Sequence, residues 1–318
     1  MASEHERIAQ IRARLERTAP PPRSDIALSI GDDAAILNAL TTAGSVLSVD
    51  AQVEDVHFRR AWLSLHELGA RAMASALSDL AAMGATPRAA LVSIICSGTL
   101  TDAELYEIID GVGEAQARYA CTVVGGNLAR GAQLSITTTV IGTAPPKPMT
   151  RTGAQPNDGL YVTGMLGSAA FGLTLLAREQ PNRALPHVER WRVPTARIVE
   201  GHEAANRAHA AIDVSDGLLQ DLRHICEASS VGCVVDLASL PKPTEVELAH
   251  ELGVDLEQLA LRGGEDYELL IAASEPPIAA NVTRIGTFCD AREILLRDAS
   301  GTVREAHVEG FDHFGLGV

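Results

Sequence analysis

Residues 142–159, GTAPPKPMTRTGAQPNDG, divide this chain of 318 residues into two patterned halves. Prolines and glycines interrupt strand-like and helix-like sequence here, and such clusters are typical of turns and linkers. The chain is also longer than a typical single hydrophobic core, which favours two domains of ordinary size. We therefore place a boundary near residue 147, between an N-terminal domain of residues 1–147 and a C-terminal domain of residues 148–318.

The sequence before this boundary mixes helix and strand signals. Apolar residues recur at helical spacing over residues 64–83. Thr101 and Glu104 form a capping box, which predicts a helix that continues to about Tyr119. Strands are expected at residues 45–50, 89–96, 121–126 and 134–142.

The sequence after the boundary mixes the same two kinds of signal. Strands are expected at residues 159–164, 210–216, 232–237, 267–273 and 284–288. Helices are expected near residues 167–178, 194–209, 217–229 and 244–252. Both halves are therefore predicted to be α/β or α+β domains.

The charge balance argues against nucleic acid and anionic membranes as partners. The 41 acidic and 26 basic residues give a formal net charge of −15 at pH 7, and no basic patch opposes it. Only two lysines occur, Lys147 and Lys242, and neither lies in a Gly-x-x-x-x-Gly-Lys-Ser/Thr motif, which excludes a P-loop. Any bound phosphate would have to be met by arginine, backbone amides or a metal.

The cysteines and the N-terminus indicate a cytoplasmic protein. Five cysteines without a Cys-x-x-Cys pair disfavour both a disulfide framework and a zinc site. Residues 1–17 form a charged amphipathic pattern without an apolar signal core, and no apolar run is long enough to span a membrane.

One aspartate lies in a stretch that otherwise lacks charge. Asp79 is the only charged residue between Arg71 and Arg88, and Ala76 and Met83 are its neighbours on the predicted helix. A carboxylate on an apolar helix face is costly unless a cation or hydrogen bonds meet it. Asp79 is therefore either a metal ligand or a buried aspartate that caps a neighbouring loop.

Other aspartates lie in loops or at the ends of predicted strands. Asp50, Asp213 and Asp216 end strands, and Asp33 lies in a Gly-Asp-Asp loop. Each such loop could instead contain a helix cap, as Ser215 or Asp216 would provide for the next helix. A set of carboxylates without a Cys/His cluster suits Mg²⁺ and the phosphates that it bridges. The set predicts phosphoryl chemistry.

Two glycine-rich stretches each allow a structural and a functional interpretation. Residues 123–131, VVGGNLARG, are either a hairpin turn or a turn whose glycines let the backbone approach a phosphate. Residues 260–274, ALRGGEDYELLIAAS, by themselves predict an acidic turn before an edge strand. His57 by itself is typical of an ordinary half-buried histidine.

Eight motifs in one order resemble the thiamine-monophosphate kinase family over nearly the whole chain. They are GDDAAIL, SVDAQVEDVHF, ALSDLAAMGATP, VVGGNLARG, MTRTGAQPND, AIDVSDGLLQDL, RGGEDYELL and GFDHFG. The resemblance implies the two-domain α/β (α+β) fold of the superfamily that includes aminoimidazole ribonucleotide synthetase and selenophosphate synthetase. It also implies a homodimer, in which the sheet of the N-terminal domain forms the interface, and a C-terminal α/β domain.

The resemblance further implies a set of site residues. Catalytic roles fall on Asp50, Asp79 and Asp213. Thiamine-phosphate contacts fall on His57, Glu265 and Phe311, and ATP contacts on Gly126, Asn127, Arg151 and Ser215. Ligands of several Mg²⁺ ions are expected at Asp33, Ser48, the Val49 backbone, Asp50, Asp79, Asn127, Asp213 and Asp216.

One motif departs from the family pattern. Where the family has Gly-Gly-Asp-Thr, this chain has Gly-Gly-Asn-Leu at residues 125–128. An amide oxygen can bind Mg²⁺ but brings no charge, so metal binding at Asn127 is expected to be weaker unless another acid compensates.

The activity that the resemblance implies is transfer of a phosphoryl group from ATP to thiamine monophosphate, giving ADP and thiamine diphosphate. The nucleophile is a phosphate oxygen whose second pKa is about 6, so no general base is needed at neutral pH. Two other functions stay open: another ATP-using synthetase of the same superfamily, and a nucleotide-binding homologue without turnover, for which Asn127 is the only hint.

Overall fold

The structure is a computed structural model that describes residues 4–20, 26–28, 36–37, 44–278 and 280–307. Two of the expected site residues, Asp33 and Phe311, lie outside these ranges. The chain divides into two compact units, Met1–Leu80 with Ala85–Pro146, and Ala81–Gly84 with Lys147–Val318. The roles predicted for the two domains stay predictions.

The described part of the first unit combines three helices with two sheets. The helices are α1 (Glu4–Thr18), α2 (Leu65–Ala82, whose last two residues belong to the second unit) and α3 (Asp102–Tyr119). The strands are β1 (Ile26–Leu28), β2 (Ile36–Leu37), β3 (Ser45–Val53), β4 (Thr86–Ser97), β5 (Thr122–Gly131) and β6 (Ser135–Thr143). β1 pairs with β2, and the larger sheet has the order β3-β6-β4-β5. Only β4 and β5 are parallel in it, and α3 connects them.

Local sequence signals explain the helices of this unit. The capping box of α3 is confirmed: Glu104 N–H donates to Thr101 Oγ1 at 3.3 Å, and Thr101 N–H donates to Glu104 Oε2 at 2.7 Å. The helix predicted over residues 64–83 is α2, and its apolar side chains are almost all buried. α1 packs on α3, where the Gln116 side-chain amide donates to the Leu15 carbonyl at 2.9 Å.

The predicted turn at residues 123–131 is wrong. This stretch lies inside β5, which pairs with β4 as far as Gly131. The register shifts after Val123, and a Cβ on Gly126 would lie 1.9 Å from the carbonyl oxygen of Val92. The Gly-Gly pair therefore serves a bulged strand that runs very close to its neighbour, which no short-range pattern could distinguish from a turn.

The described part of the second unit combines six helices with one mixed sheet. The helices are α4 (Ser168–Ala177), α5 (Leu185–Arg192), α6 (Ile198–Ala204), α7 (Leu218–Ser229), α8 (Val246–Glu251) and α9 (Leu256–Arg262). The strands are β7 (Gly159–Thr163), β8 (Ala210–Asp213), β9 (Gly232–Asp236), β10 (Leu269–Ala273), β11 (Val282–Cys289), β12 (Ile294–Arg297) and β13 (Val303–Glu305). Their order is β13-β12-β9-β11-β7-β10-β8, with only β12 and β9 parallel. Both units thus mix helices and sheet, which confirms the predicted α/β (α+β) class.

Several elements of the second unit differ from the prediction. Four short elements were not predicted: α5, α9, β12 and β13. They have eight, seven, four and three residues and are too short for a periodic pattern. The helix predicted at 194–209 is only the short α6. β10 lies between β7 and β8, so the expected edge strand after Gly-Gly-Glu-Asp is a central one. Across the described residues, no helix combines the length and apolarity needed to cross a membrane.

Helices α2 and α3 approach so closely that their contact requires glycine. A Cβ on Gly111 would lie 1.8 Å from the His66 carbonyl oxygen, and a Cβ on Gly69 would lie 2.0 Å from that of Ile108. These distances are far below van der Waals contact, so any larger residue must push the helices apart.

Gly111→Ala is therefore expected to lower the free energy of unfolding by about 3 kcal/mol, although alanine is the better helix former. Denaturant unfolding measures the change. Gly98→Ala is the matched control, because nothing lies within 4 Å of its added methyl group. A Gly111→Ala protein as stable as the control would contradict the close contact.

Candidate functional site

Strand β3 and helix α2 bring three predicted metal ligands together in the first unit. Ser48, Asp50 and Gln52 alternate along β3, so they share one face of the strand. On this face the Ser48 hydroxyl donates to Asp79 Oδ2 of α2. Gln52 also faces α2, and its amide nitrogen lies 3.5 Å from Ser75 Oγ. The carboxylates of Asp50 and Asp79 thus belong to one oxygen-rich cluster.

A buried arginine contacts this cluster through Gln52. Arg71 of α2 is fully buried, and its Nε donates to Gln52 Oε1 at 3.0 Å. The Gln52 amide nitrogen in turn lies 3.5 Å from Asp50 Oδ2, while Asp50 Oδ1 accepts the Ala51 N–H at 2.7 Å. These contacts help to fix the orientation of the Asp50 carboxylate.

The register of the larger sheet separates Asn127 from Asp50. Asp50 shares a row across the sheet with Thr138 of β6, Val92 of β4 and Gly126 of β5. Asn127 lies in the next row, and side chains of adjacent rows point to opposite faces. The side chains of Asn127 and Asp50 therefore do not converge within this sheet, and a ligand role for Asn127 stays a prediction.

His57 lies in the turn that follows β3. The Val53 N–H donates to His57 Nδ1 at 3.1 Å, so Nδ1 accepts and the neutral ring carries its proton on Nε2. In this tautomer Nε2 is the ring nitrogen that can donate a hydrogen bond. This geometry suits the orientation of a phosphate better than the removal of a proton.

A second acidic cluster lies in the loop between β8 and α7. Asp213 ends β8, and Ser215 and Asp216 follow in the loop. Neither residue caps α7, because its N-cap is Gly217 and has no side-chain capping bond. Asp221 Oδ2 accepts the three N–H groups of Ser215, Asp216 and Gly217, each at 3.1 Å. The capping interpretation of Ser215 and Asp216 is therefore wrong.

Asp221 was missed in the sequence analysis. Its signal is the second aspartate of DGLLQDL, one helical turn after Gly217, where it can fold back onto its own helix start. The side chain is almost fully buried. Because Asp221 accepts these N–H groups, they do not bind a phosphate directly at the start of α7.

The charges of this loop favour a bound cation. Burial, followed by repulsion from Asp213 and Asp216, raises the pKa of Asp221 to about 8. Within the described ranges, no three His, Cys, Asp or Glu side chains form a ready-made metal cage. Mg²⁺ suits such a partial set, because it usually keeps several waters and is bound through one or two carboxylates plus substrate phosphates.

Backbone hydrogen bonds join this loop to the Gly-Gly-Glu-Asp loop. The Glu265 N–H donates to the Ser215 carbonyl at 2.8 Å, and the Tyr267 N–H donates to that of Val214 at 2.9 Å. Gly264 is needed at this approach, since a Cβ there would lie 2.4 Å from the Ser215 oxygen. Backbone hydrogen bonds thus join the loop with the predicted nucleotide and metal contacts to the loop with the predicted substrate contact. We call these two joined loops the framework around Glu265.

Two fully buried acids hold the Gly-Gly-Glu-Asp loop in place. Asp266 accepts the N–H groups of Gly167 at 2.5 Å and Ala169 at 2.8 Å, at the start of α4. Glu268 accepts from Thr163 Oγ1 at 2.6 Å and pairs with arginine side chains of α5 and of the residue before α6. Both acids are therefore structural supports for Glu265.

Arg151 precedes β7 and has an exposed side chain. Its carbonyl accepts the Ser229 hydroxyl at 3.0 Å, at the end of α7. Burial and then the charge of Arg151 lower the pKa of His224 of α7, so the guanidinium lies near the helix that follows Asp216. Its predicted contact with ATP stays a prediction.

Comparison with known proteins identifies the family of this chain. Residues 31–144 match the N-terminal domain of AIR synthase related proteins, and residues 155–294 match their C-terminal domain. The thiamine-monophosphate kinase of Bacillus subtilis is 32% identical over 312 residues, which cover 92% of this chain and 94% of that protein.

Solved structures show the same similarity. The crystal structure of thiamine-monophosphate kinase from Stenotrophomonas maltophilia has a TM-score of 0.79 at 32% identity, covering 91% of this chain and 94% of that one. A structure described as AaThiL complexed with AMPPCP and TMP has a TM-score of 0.80 at 29% identity, covering 98% and 97%.

The buried Asp266 carboxylate is expected to make stability depend on pH. Burial raises its pKa to about 7, whereas the ordinary value is 3.8. A pKa raised in the folded state means that the folded protein holds a proton that the unfolded chain has lost. The stabilisation is thus complete below about pH 4 and is lost as the pH rises through about 7.

Asp266→Asn should remove this dependence, because the amide does not titrate. We expect the difference in unfolding free energy, wild type minus variant, to fall by about 2 kcal/mol between pH 5 and pH 8. Denaturant unfolding at both pH values measures it, with Asp255→Asn, at the exposed cap of α9, as the control. A difference that stays constant or grows with pH would contradict the raised pKa.

Proposed function

Because this chain belongs to the thiamine-monophosphate kinase family, we propose that its two acidic clusters bind ATP together with Mg²⁺ for that family's reaction. The protein transfers a phosphoryl group from ATP to thiamine monophosphate and produces ADP and thiamine diphosphate. The main support for the proposed site is a set of hydrogen bonds. They join the loop that contains Asp213, Ser215 and Asp216 to the loop that contains Glu265. Three functions were considered from the sequence, and the names of the relatives agree with the kinase reaction.

Five oxygen-bearing side chains would hold the metal ions: Ser48, Asp50 and Asp79 in the first unit, and Asp213 and Asp216 in the second. All are hard donors of the kind that Mg²⁺ prefers, and the mutual repulsion in the second cluster favours a cation there. When bound, Mg²⁺ neutralises and aligns phosphate groups. Asp33, the Val49 carbonyl and Asn127 are further proposed ligands.

In the proposed reaction, the protein has to align two anionic phosphate groups and neutralise their charge. The attacking phosphate oxygen is largely deprotonated at neutral pH, since the second pKa of such a group is about 6. A general base is then unnecessary, and the barrier falls when two repelling anions are held in line. The chain has only two lysines and neither lies in a P-loop motif, so we propose Arg151 as the side-chain cation that contacts ATP. The other proposed ATP contacts are Gly126, Asn127 and Ser215.

His57, Glu265 and Phe311 are the proposed contacts to thiamine monophosphate. His57 presents Nε2–H because Nδ1 accepts the Val53 N–H, and this donor suits the substrate phosphate. Glu265 is half-buried and suits the cationic thiazolium or the aminopyrimidine. Phe311, outside the described residues, is proposed to stack on a substrate ring.

We further propose that the protein is a homodimer joined through the larger sheet of the first unit. Leu47 and Val49 of β3 are 64% and 61% exposed, and Leu91 and Ile95 of β4 are 38% and 39% exposed. Val49 and Leu91 both pair with Thr139 of β6, so they form one row on the same face. A contiguous apolar face of this kind favours burial against a second copy. A cytoplasmic location stays a prediction.

Asp79→Asn and Asp213→Asn are each expected to lower kcat by at least about a hundredfold. Each removes a carboxylate charge that would hold a phosphate-binding Mg²⁺ ion but keeps the side-chain shape. A coupled ADP-release assay with thiamine monophosphate, ATP and Mg²⁺ measures the rates. Wild type should release ADP with thiamine monophosphate and not with thiamine.

The control is Asp298→Asn, an exposed turn aspartate between β12 and β13, which should leave kcat unchanged. Circular dichroism and thermal unfolding check that each variant is folded. Near-normal turnover in either folded variant would refute the assigned roles, and ADP release of equal rate with thiamine would refute the acceptor.

Leu47→Glu combined with Leu91→Glu is expected to give a monomer, because burial of two added charges in an apolar interface is unfavourable. Sedimentation velocity should find the wild type at the mass of two chains and the variant at the mass of one. Val199→Glu changes an exposed valine of α6 in the other unit and should remain dimeric. A wild-type monomer, or a variant that remains dimeric, would contradict the proposed interface.

A further inference from the structure

Three side chains of helix α5 form hydrogen bonds with Glu265 and with residues that support its loop. His187, Arg190 and Trp191 are spaced three and four residues apart, so they lie on one face of the helix. His187 Nδ1 lies 2.8 Å from the hydroxyl of Ser168, and Arg190 pairs with the buried Glu268. The helix is therefore tied at two points to the segments that support the Gly-Gly-Glu-Asp loop.

The third of these side chains contacts Glu265 itself. Trp191 Nε1 donates to Glu265 Oε2 at 2.7 Å. The indole is only 1% exposed, whereas Glu265 is half-buried. Trp191 thus approaches the carboxylate from the protein interior.

The chemistry of the donor distinguishes Glu265 from its neighbour Glu268. An indole N–H donates a single hydrogen bond and carries no charge, so this bond orients the Glu265 carboxylate without neutralising it. Glu268, in contrast, is paired with the guanidinium groups of Arg190 and Arg197. The Trp191 bond therefore orients the Glu265 carboxylate and adds no positive charge beside it.

The backbone of Glu265 has an unusual conformation that does not by itself orient the side chain. Glu265 and Tyr267 have positive φ angles of 67° and 51°, which cost of order 1 kcal/mol or more each for residues other than glycine. Backbone bonds to Ser215 and Val214 maintain this conformation but do not determine where the Glu265 side chain points. The Trp191 bond contributes to that direction.

We propose that Trp191 is a positioning residue for thiamine monophosphate, whose indole N–H holds the Glu265 carboxylate where it receives the thiazolium or the aminopyrimidine. This inference rests on the proposed contact of Glu265 with that substrate. It assigns no role to Trp191 in ATP binding or in phosphoryl transfer.

The test compares Trp191→Phe, Glu265→Gln and the double variant. Phenylalanine keeps an aromatic ring and removes the N–H, so we expect the KM for thiamine monophosphate to rise about tenfold, with kcat and the KM for ATP unchanged. Glu265→Gln should also raise that KM, and the double variant should be no worse than Glu265→Gln alone. Val188→Ala, fully buried on the same helix, controls for a general loss of packing.

Each alternative result identifies what fails. If Glu265→Gln raises the KM and Trp191→Phe does no more than Val188→Ala, the positioning role is refuted and the substrate contact stands. If the two effects multiply in the double variant, Trp191 acts independently of Glu265 and the inference is wrong. If neither variant changes this KM, the proposed Glu265 contact itself fails.

A spectroscopic measurement covers the case in which Trp191→Phe does not fold. The chain has two tryptophans, so ¹⁵N-labelled indole groups give two N–H signals, and Trp62→Phe assigns them. The Trp191 signal should move in Glu265→Gln and on addition of thiamine monophosphate to the wild type. A signal that is insensitive to both would overturn the proposal.

Discussion

One carboxylate oxygen of Asp221 accepts three consecutive backbone N–H groups, and the candidate site of the second unit depends on this interaction. It fixes the path of the chain between β8 and α7 and so places Ser215 and Asp216. Since these N–H groups are satisfied by the protein, the loop offers a ligand mainly its side-chain oxygens. That composition favours a metal-bridged phosphate over direct binding at a helix N-terminus.

The buried acids of the second unit fall into two kinds with different electrostatics. Asp266 and Glu268 are stabilised by backbone N–H groups or arginines, so they act as supports of the loop that carries Glu265. Asp221 likewise supports its loop by accepting three backbone N–H groups. Asp213, in contrast, lies beside another carboxylate, and repulsion from Asp213 and Asp216 contributes to the raised pKa of Asp221. In an acidic chain this distribution separates acids that hold the fold from acids whose charge a cation can neutralise.

Features that depend on neighbouring residues were predictable from the sequence. The capping box of α3 and the apolar spacing of α2 are local, and both predictions are confirmed. The short elements α5 and β13 have no such signal, because packing against other elements stabilises them. The Gly-Gly pair of β5 was misread for the same reason: the need for glycine arises from Val92 on the adjacent strand.

The sequence by itself determined the fold class, the family and the acidic character of the site, because each depends on residue type and order. Only the tertiary structure decided that Asp221 shapes the loop of Ser215 and Asp216, that Asn127 and Asp50 face opposite sides of the sheet, and that Trp191 contacts Glu265. These facts depend on strand register and on contacts between distant residues, such as Trp191 and Glu265, which are 74 positions apart. Such contacts follow from how helices and strands pack, and packing distances are not encoded in any single stretch of chain.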